Sequence, residues 1–327
     1  MKNVSGRSAY FFLILLLSIF PAYNALVNGS AHHHLQHHLQ FFTASSDYFN
    51  PWQYRVLAPF LAEAFHQLLA LPFYADAAAP QAYDTSFKLF RIGQHLLIFG
   101  SAWYFFRHFS DSRPLRFLML VVLAWAFNSA AFMSDFAFNT YFEVLFFTWA
   151  AWLLYSGQNR WWFVPLTLLA ALNRESSLML PLLLLTDLRL ADGFSNWKRT
   201  ILIMACCFLV YGLVFFGIRW FYGYQAPAPI GMPTGWPIFR FNLTDPVTLL
   251  QLFATLSVIP LFVLFNIRQT GTRLQLLFWL MVPAWFFIHF WLVWARETRI
   301  FLVPFTIVLL PMVLQIIQQS FERSRTS

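Results

Sequence analysis

A pair of charges inside an apolar stretch constrains this chain more than any other sequence feature. Arg174 and Glu175 stand side by side between two apolar runs, residues 161–171 and 178–185. A charged side chain at the centre of a bilayer costs about 2.5–3.5 kcal/mol on insertion scales, so it must face protein or a wet cavity. Each run is shorter than the ~20 residues of a full crossing. The segment is therefore predicted to be a hairpin of short helices or a helix broken at the charges, holding either a structural ion pair or a functional site.

The composition around this segment is that of a polytopic membrane protein. Of the 327 residues, 59% are hydrophobic and 10% are charged, whereas soluble domains average about 45–50% and about 25%. The formal charge of +8 lies mostly in short loops between apolar runs, where it indicates topology and not a nucleic-acid partner. The two cysteines, Cys206 and Cys207, are adjacent inside an apolar run and indicate neither a disulfide framework nor a metal motif.

Basic loops alternate with non-basic loops along the chain. The positive-inside rule then predicts an all-α bundle of about ten transmembrane or half-membrane helices, with both termini in the cytoplasm. The single transmembrane domain, residues 1–327, divides into a first span (1–28), an outer loop with an amphipathic helix (29–84), a helical bundle (85–318) and a cytoplasmic tail (319–327). A cleaved signal peptide is the alternative for the first span, because residues 22–25 loosely resemble a cleavage site.

The outer loop begins with a run of histidines. His33 and His37, or His34 and His38, would share a helix face and could bind a metal, but no Asp, Glu or Cys lies close in sequence to complete the site. We therefore interpret the run as a low-complexity loop. Residues 60–71 follow with the periodicity of an amphipathic helix that lies on the membrane.

A second outer segment, residues 223–246, is rich in proline, glycine and aromatic residues, and is predicted to be irregular. It contains the sequon Asn242-Leu243-Thr244, which is a glycosylation acceptor only in a eukaryotic secretory compartment. Residues 247–267, which follow, are predicted to cross the membrane once, towards the cytoplasm.

The predicted topology places the unusual charges on the outer side. In the span 84–106, Asp84, Lys88, Arg91 and His95 recur at helical spacing and share one stripe at its outer end, against the positive-inside bias. The candidate substrate-binding residues from this side are Arg55, Lys88, Arg91, His95, Arg174, Glu175, Arg296, Glu297 and Arg299.

This pattern suits a phosphorylated lipid substrate. Arginine binds phosphate oxygens through a planar fork and keeps its charge when desolvated. In sugar transfer from a lipid-linked donor, a carboxylate would deprotonate the acceptor hydroxyl and cations would neutralise the leaving phosphate. Asp47 is the candidate general base, with a helix cap as its alternative role. Glu297, Glu175 and Asp135 are the next candidates, in that order.

The order of these features resembles the GT-C superfamily of polytopic glycosyltransferases. The resemblance lies in one N-terminal span, a long outer loop with an acidic residue and an amphipathic helix, the segment Leu172-Asn173-Arg174-Glu175-Ser176, and the late segment Arg296-Glu297-Thr298-Arg299-Ile300-Phe301-Leu302-Val303-Pro304. It implies an inverting, mannosyltransferase-like enzyme of the cell envelope, in a bacterial cytoplasmic membrane, with its catalytic carboxylate at Asp47.

The same resemblance implies a polyprenyl-phosphate-sugar donor and a lipid or glycan acceptor. The family's common acidic pair is missing, since Tyr48 and Phe49 follow Asp47. No metal ligand or other cofactor site is therefore assigned, and a divalent metal is left as an open alternative.

A membrane transporter or flippase for a lipid-linked or anionic substrate is the alternative function, because broken helices and buried charges occur there too. A transporter is expected to carry polar residues towards the cytoplasmic side, whereas the inner parts of these spans are apolar. A structural or assembly protein is a third alternative, and it would not need so many desolvated charges.

Overall fold

The part of the chain that the structure describes is mostly helical. The computed structural model describes residues 4–28, 31–43, 52–73, 80–130, 137–190, 194–223 and 233–326. No strand occurs in these ranges, which confirms the predicted all-α class.

The α-helices in the described ranges are numbered in chain order. They are α1 (Val4–Asn28), α2 (Ala31–Thr43), α3 (Leu57–Phe73), α4 (Pro80–Phe106), α5 (Arg113–Ala130), α6 (Phe138–Tyr155), α7 (Phe163–Asn173), α8 (Leu185–Leu190), α9 (Phe194–Tyr222), α10 (Trp236–Thr244), α11 (Pro246–Leu256), α12 (Ile259–Asn266), α13 (Thr272–Leu292), α14 (Leu302–Pro304) and α15 (Leu310–Thr326). A π-helical segment, Phe305–Leu309, joins α14 to α15.

Three helical stretches of the described residues are long and apolar enough to cross a membrane: Trp197–Tyr222, Thr272–Leu292 and Thr298–Arg323. They differ in burial: the most apolar part of Thr298–Arg323 is 89% buried, whereas that of Trp197–Tyr222 is 17% buried. The chain thus places its last long helix at the centre of the bundle. It leaves α9 with a lipid-compatible outer surface.

A fourth candidate crossing consists of α11 and α12, which meet at an angle of 66°. The sequence predicts one crossing here, and the structure breaks it at Ser257, whose φ is +54°. The physical reason lies in Pro260, near the start of α12. Proline has no N–H to donate to the carbonyl oxygen of Leu256, four residues earlier, and its ring would clash with that carbonyl, so α11 cannot run on into α12.

The buried core is unusually aromatic. Phe99, Phe105 and Phe106 of α4, Phe127 of α5 and Phe147 of α6 are fully buried. They pack with the buried residues of α14, α15 and the π segment in one apolar cluster.

The histidine-rich segment is helical, contrary to the predicted low-complexity loop. His38 of α2 is buried, and its Nε2 lies 2.8 Å from Oε2 of Glu63 on α3. The hydrogen-bond partner of His38 is thus a carboxylate 25 residues further along the chain, which sequence proximity did not indicate. Burial raises the pKa of Glu63, but hydrogen bonds from Gln67 and His38 outweigh it, so the net pKa lies below its ordinary value. No group of three or more metal-ligating side chains occurs among the described residues.

Helix α10 lies in the second segment predicted to be irregular. Its Asn242 is fully buried. The side-chain amide donates to the carbonyl oxygens of Phe290 and Val293 at 3.0 and 2.8 Å, and accepts from the N–H of Ala295 at 3.0 Å. In the folded protein the sequon asparagine is therefore a structural link between α10 and the end of α13.

Candidate functional site

The helix that carries Arg174 is broken at the charges, which is one of the two predicted forms. Helix α7 ends at Asn173, and Arg174 has extended backbone with φ −163° and ψ 147°. Two short 3₁₀ turns follow, Glu175–Met179 and Pro181–Leu184, before α8 begins. The break points the Arg174 and Glu175 side chains towards different neighbours.

The first turns of α6 hold this break in place. The Asn173 side chain donates to the carbonyl oxygen of Asn139 at 2.7 Å, and Arg174 Nη1 donates to Thr140 Oγ1 at 3.1 Å. From α4, the Gln94 side chain donates to the carbonyl oxygen of Phe138 at 2.8 Å. Three consecutive residues of α6 thus accept hydrogen bonds from two other segments.

Arg174 forms a buried ion pair with Glu143, one turn further along α6. Its Nη1 lies 2.8 Å from Glu143 Oε2, and the side chains are 11% and 2% exposed. Ser176 Oγ donates a short hydrogen bond to the other carboxylate oxygen. Both oxygens of Glu143 are therefore bonded, which is the condition under which a buried carboxylate is tolerated.

Glu175 lies between two further arginines. Its Oε2 is 3.2 Å from Arg55 Nε, and its Oε1 is 3.7 Å from Arg219 Nη2. The Tyr211 hydroxyl donates to the Glu175 backbone carbonyl at 2.9 Å. Oε1 of Glu175 accepts no hydrogen bond from the described residues. Burial lowers the pKa of the Arg55 guanidinium, and the neighbouring Glu175 acts in the opposite direction.

These five side chains form what we call the charged cluster: Arg55, Glu143, Arg174, Glu175 and Arg219. Arg219, in the last turn of α9, lies over two aromatic rings, with its guanidinium carbon 3.5 Å from the Phe215 centroid and 4.3 Å from that of Tyr54. The Tyr54 hydroxyl donates to the carbonyl oxygen of Gly223 at 2.9 Å, joining the segment before α3 to the end of α9.

The predicted stripe on α4 divides into two parts. Lys88 pairs with Asp84 at 2.7 Å on the surface, and no described contact joins it to the charged cluster. Arg91 is buried, with its guanidinium carbon 4.0 Å from the Tyr141 ring centroid and its Nη1 donating to Gln94. His95 is also buried, and its Nδ1 lies 3.3 Å from the Ser18 carbonyl oxygen on α1, away from the cluster.

The late arginine segment makes its own pair. Arg299 is almost fully buried and bonds Glu297 at 2.7 Å, while the Glu297 side chain is 43% exposed. Arg299 lies close enough to Arg91 for their charges to repel, so this pair borders the same end of the bundle. Arg296 is half-buried beside it.

Two candidate carboxylates, Asp47 and Asp135, lie outside the described residues. Sequence reasoning did not select Glu143 or Arg219 as site residues. The signal for Arg219 was available, because an arginine in the last turn of a long apolar helix, at the end predicted to be outer, is as unusual as those of α4. The predicted topology also places Glu143 on the outer side, but its ion-pair partner is set by the packing of α6 against the break.

No protein-family model matches the chain, and neither a curated protein nor a solved structure matches it. The GT-C resemblance therefore stays a prediction from the sequence. The chemistry of the charged cluster is the remaining guide to function.

Proposed function

We propose that the protein is an integral-membrane glycosyltransferase that uses a polyprenyl-phosphate-linked sugar at the outer face of the membrane. The observation that carries the proposal is convergence. Three guanidinium groups and two carboxylates meet in the charged cluster from four separate segments: the approach to α3, the first turns of α6, the break after α7, and the end of α9.

The balance of charge in the cluster favours an anionic ligand. Three arginines face two glutamates, which leaves one positive charge, and Arg91 and Arg299 lie at the same end of the bundle. Glu175 and Arg219 side chains are each 26% exposed, so a ligand can reach them. A phosphate group would meet a partly exposed arginine that is already held over two aromatic rings, and such an arginine loses little freedom on binding.

The surface of α9 supports a ligand with an apolar tail. An apolar groove of about 530 Å³ runs along this helix between Phe208 and Trp220. Gly212 and Gly217 leave it open, because no atom lies where their side chains would project. The groove ends within one turn of Arg219. A polyprenyl chain in this groove would bring its phosphate to the charged cluster.

The roles follow from the bonding of each group. In the transfer, the acceptor hydroxyl oxygen attacks the anomeric carbon, its proton passes to a carboxylate, and polyprenyl phosphate leaves with the bonding electrons. Arg174 and Arg219 would stabilise that phosphate. Asp47 is the base that the sequence favours. Among the described carboxylates of the cluster, Glu175 has one oxygen, Oε1, that accepts no hydrogen bond from the described residues, whereas both oxygens of Glu143 are bonded.

The first experiment measures binding of polyprenyl phosphate and of the polyprenol of equal length to the full chain in detergent. We expect polyprenyl phosphate to bind tightly and the polyprenol to bind weakly. Arg174→Lys and Arg219→Gln should each weaken it about tenfold or more, since a hydrogen bond to a charged group contributes about 1.5–3 kcal/mol. Arg240→Gln, an exposed arginine of α10, is the matched control. Equal binding of phosphate and alcohol would show that the cluster does not recognise phosphate.

The second experiment measures release of polyprenyl phosphate from a panel of polyprenyl-phosphate sugars, each incubated with a membrane lipid extract that supplies acceptor hydroxyl groups. Asp47→Asn should reduce release by about 10²–10⁴ while binding persists. If Asp47→Asn is as active as the wild type and Glu175→Gln is not, the base is Glu175. Wild-type protein that releases no phosphate but moves the donor across a vesicle membrane would be a flippase, and the enzymatic proposal would be wrong.

A further inference from the structure

A cavity of about 560 Å³ lies between α1, α4 and α5, and three arginines line it. Arg107 follows the end of α4, and Arg113 and Arg116 begin α5. Roughly 24 Å of helix separates Arg107 from Arg91, at 1.5 Å per residue. This arginine cavity is therefore at the end of the bundle opposite the charged cluster and is independent of the proposed glycosyl transfer.

The positive-inside rule accounts for basic residues in this loop but not for their burial. Arg116 is 6% exposed, and its Nε has no hydrogen-bond partner among the described residues. Its guanidinium carbon lies 4.5 Å from the ring centroid of Trp103, a further lining residue. Stacking on an aromatic face leaves the N–H groups at the edge of the guanidinium plane free to bind a ligand in the cavity.

The positive charge of the cavity is poorly compensated. None of its three arginines forms an ion pair with a carboxylate of the described residues. Asp111 lies in the same loop, but Arg107 and Arg113 each act on Arg116 more strongly than Asp111 does.

Helix α5 adds to this positive charge. Arg113 and Arg116 lie in its first turn, which contains no acidic residue. The helix dipole makes this end positive and favours anions there. Two arginines at that position repel each other and the positive end of the helix dipole, and a bound anion would reduce this repulsion.

We propose that the arginine cavity binds a phosphate group carried by an anionic ligand. Arg113 and Arg116 hold the phosphate oxygens at the start of α5, and Arg107 closes the site from α4. The rim of the cavity is apolar, with Phe11 of α1 64% exposed beside it. A phospholipid headgroup with its acyl chains against α1 fits this rim, and a soluble phosphate compound shares the same headgroup chemistry.

The test measures binding of three probes to the full chain in detergent: short-chain phosphatidylglycerol, short-chain phosphatidylcholine and inorganic phosphate. We expect phosphatidylglycerol to bind and phosphatidylcholine to bind at least about tenfold more weakly, because its choline group cancels the charge. Arg107→Gln and Arg113→Gln should each weaken phosphatidylglycerol about tenfold, the loss of one charge-assisted hydrogen bond. These two side chains are partly or fully exposed, so the variants keep the fold even if Arg116→Gln does not.

Arg268→Gln is the matched control. This arginine is exposed, outside the cavity, and near Gly271, which bonds Gln315 on α15 at the same end of the bundle. Inorganic phosphate that binds as tightly as phosphatidylglycerol, with the same arginine dependence, would assign the site to soluble phosphate compounds. Equal binding of both lipids, or wild-type affinity in Arg107→Gln and Arg113→Gln, would overturn the proposal.

Discussion

Replacing Arg174 and Glu143 with glutamine, singly and together, separates the structural role of their buried ion pair from the proposed role of Arg174 in phosphate binding. The pair is 2.8 Å long and nearly closed to solvent. At an effective dielectric constant of about 20, its attraction is roughly 6 kcal/mol before desolvation is subtracted. Removing one partner leaves a buried charge without compensation, which costs about 3–5 kcal/mol. Arg174→Gln should therefore destabilise the protein strongly.

The two single variants should differ. Glu143→Gln leaves a positive charge on Arg174, which is 11% exposed and keeps its bond to Thr140. Arg174→Gln leaves the charge on Glu143, which is 2% exposed. Glu143→Gln should thus be the milder change. The double variant removes both charges and leaves two amides able to bond each other, so its stability should return most of the way to that of the wild type.

The assay follows the midpoint of unfolding in detergent for the wild type, both single variants and the double variant, with polyprenyl phosphate binding measured on each. Lys88→Gln is the control, because Lys88 forms a pair with Asp84 of similar length that is one-third exposed and should contribute only about 0.3–0.5 kcal/mol. Binding should survive Glu143→Gln and be lost in the double variant. A double variant that is stable and still binds polyprenyl phosphate normally would refute a phosphate-binding role for Arg174.

Three further predictions concern the rest of the fold. Asn242→Ala should lower the midpoint of unfolding, because each backbone group left without its hydrogen bond costs about 1–3 kcal/mol. An unchanged midpoint would show that the link between α10 and α13 does not contribute to stability. The pKa of Glu63 is lowered in the folded protein, so its contribution to stability is complete above its ordinary pKa of 4.5 and is lost as the pH falls through the folded value. Glu63→Gln should remove this acid dependence of the contact with His38. A midpoint of acid unfolding that does not change in the variant would contradict this. Thr234 and Arg268 are both exposed. A single cysteine at position 234 should react with an impermeant reagent in intact cells, and one at position 268 should react only after lysis. The reverse pattern would mean that the topology is inverted.

The sequence was most informative where a charge interrupted an apolar run. The cost of burying Arg174 and Glu175 in lipid predicted either a hairpin of short helices or a helix broken at the charges, and the structure has the broken helix. It could not predict that Glu143 pairs with Arg174, because hydrophobic periodicity assigns a face to each helix but not the helix opposite it. The position of Arg219 near the end of a long apolar helix could have selected it, but its contact with Tyr54 could not be predicted, because Tyr54 lies on a distant segment.

Two segments predicted to be irregular formed helices. In α10, a glycine-rich and proline-rich composition favoured loop, yet Pro237 occupies the first turn of the helix, where proline is well tolerated. In α2, the histidines suggested low complexity, but the helix is stabilised by the contact of His38 with α3. In both segments a tertiary contact outweighed local composition. The candidate base, Asp47, lies outside the described residues.

The hydrogen bonds that converge on Phe138, Asn139 and Thr140 have a consequence for how this chain can vary. One residue inserted at this point would rotate the start of α6 by about 100° relative to the rest of the helix. Three acceptors would then face away from Gln94, Asn173 and Arg174 together. Single substitutions at these positions remove at most one bond, whereas a length change removes all of them. In a library of single-residue insertions, we therefore expect no folded variant with an insertion at the start of α6 and many with an insertion in the loop at Gly157.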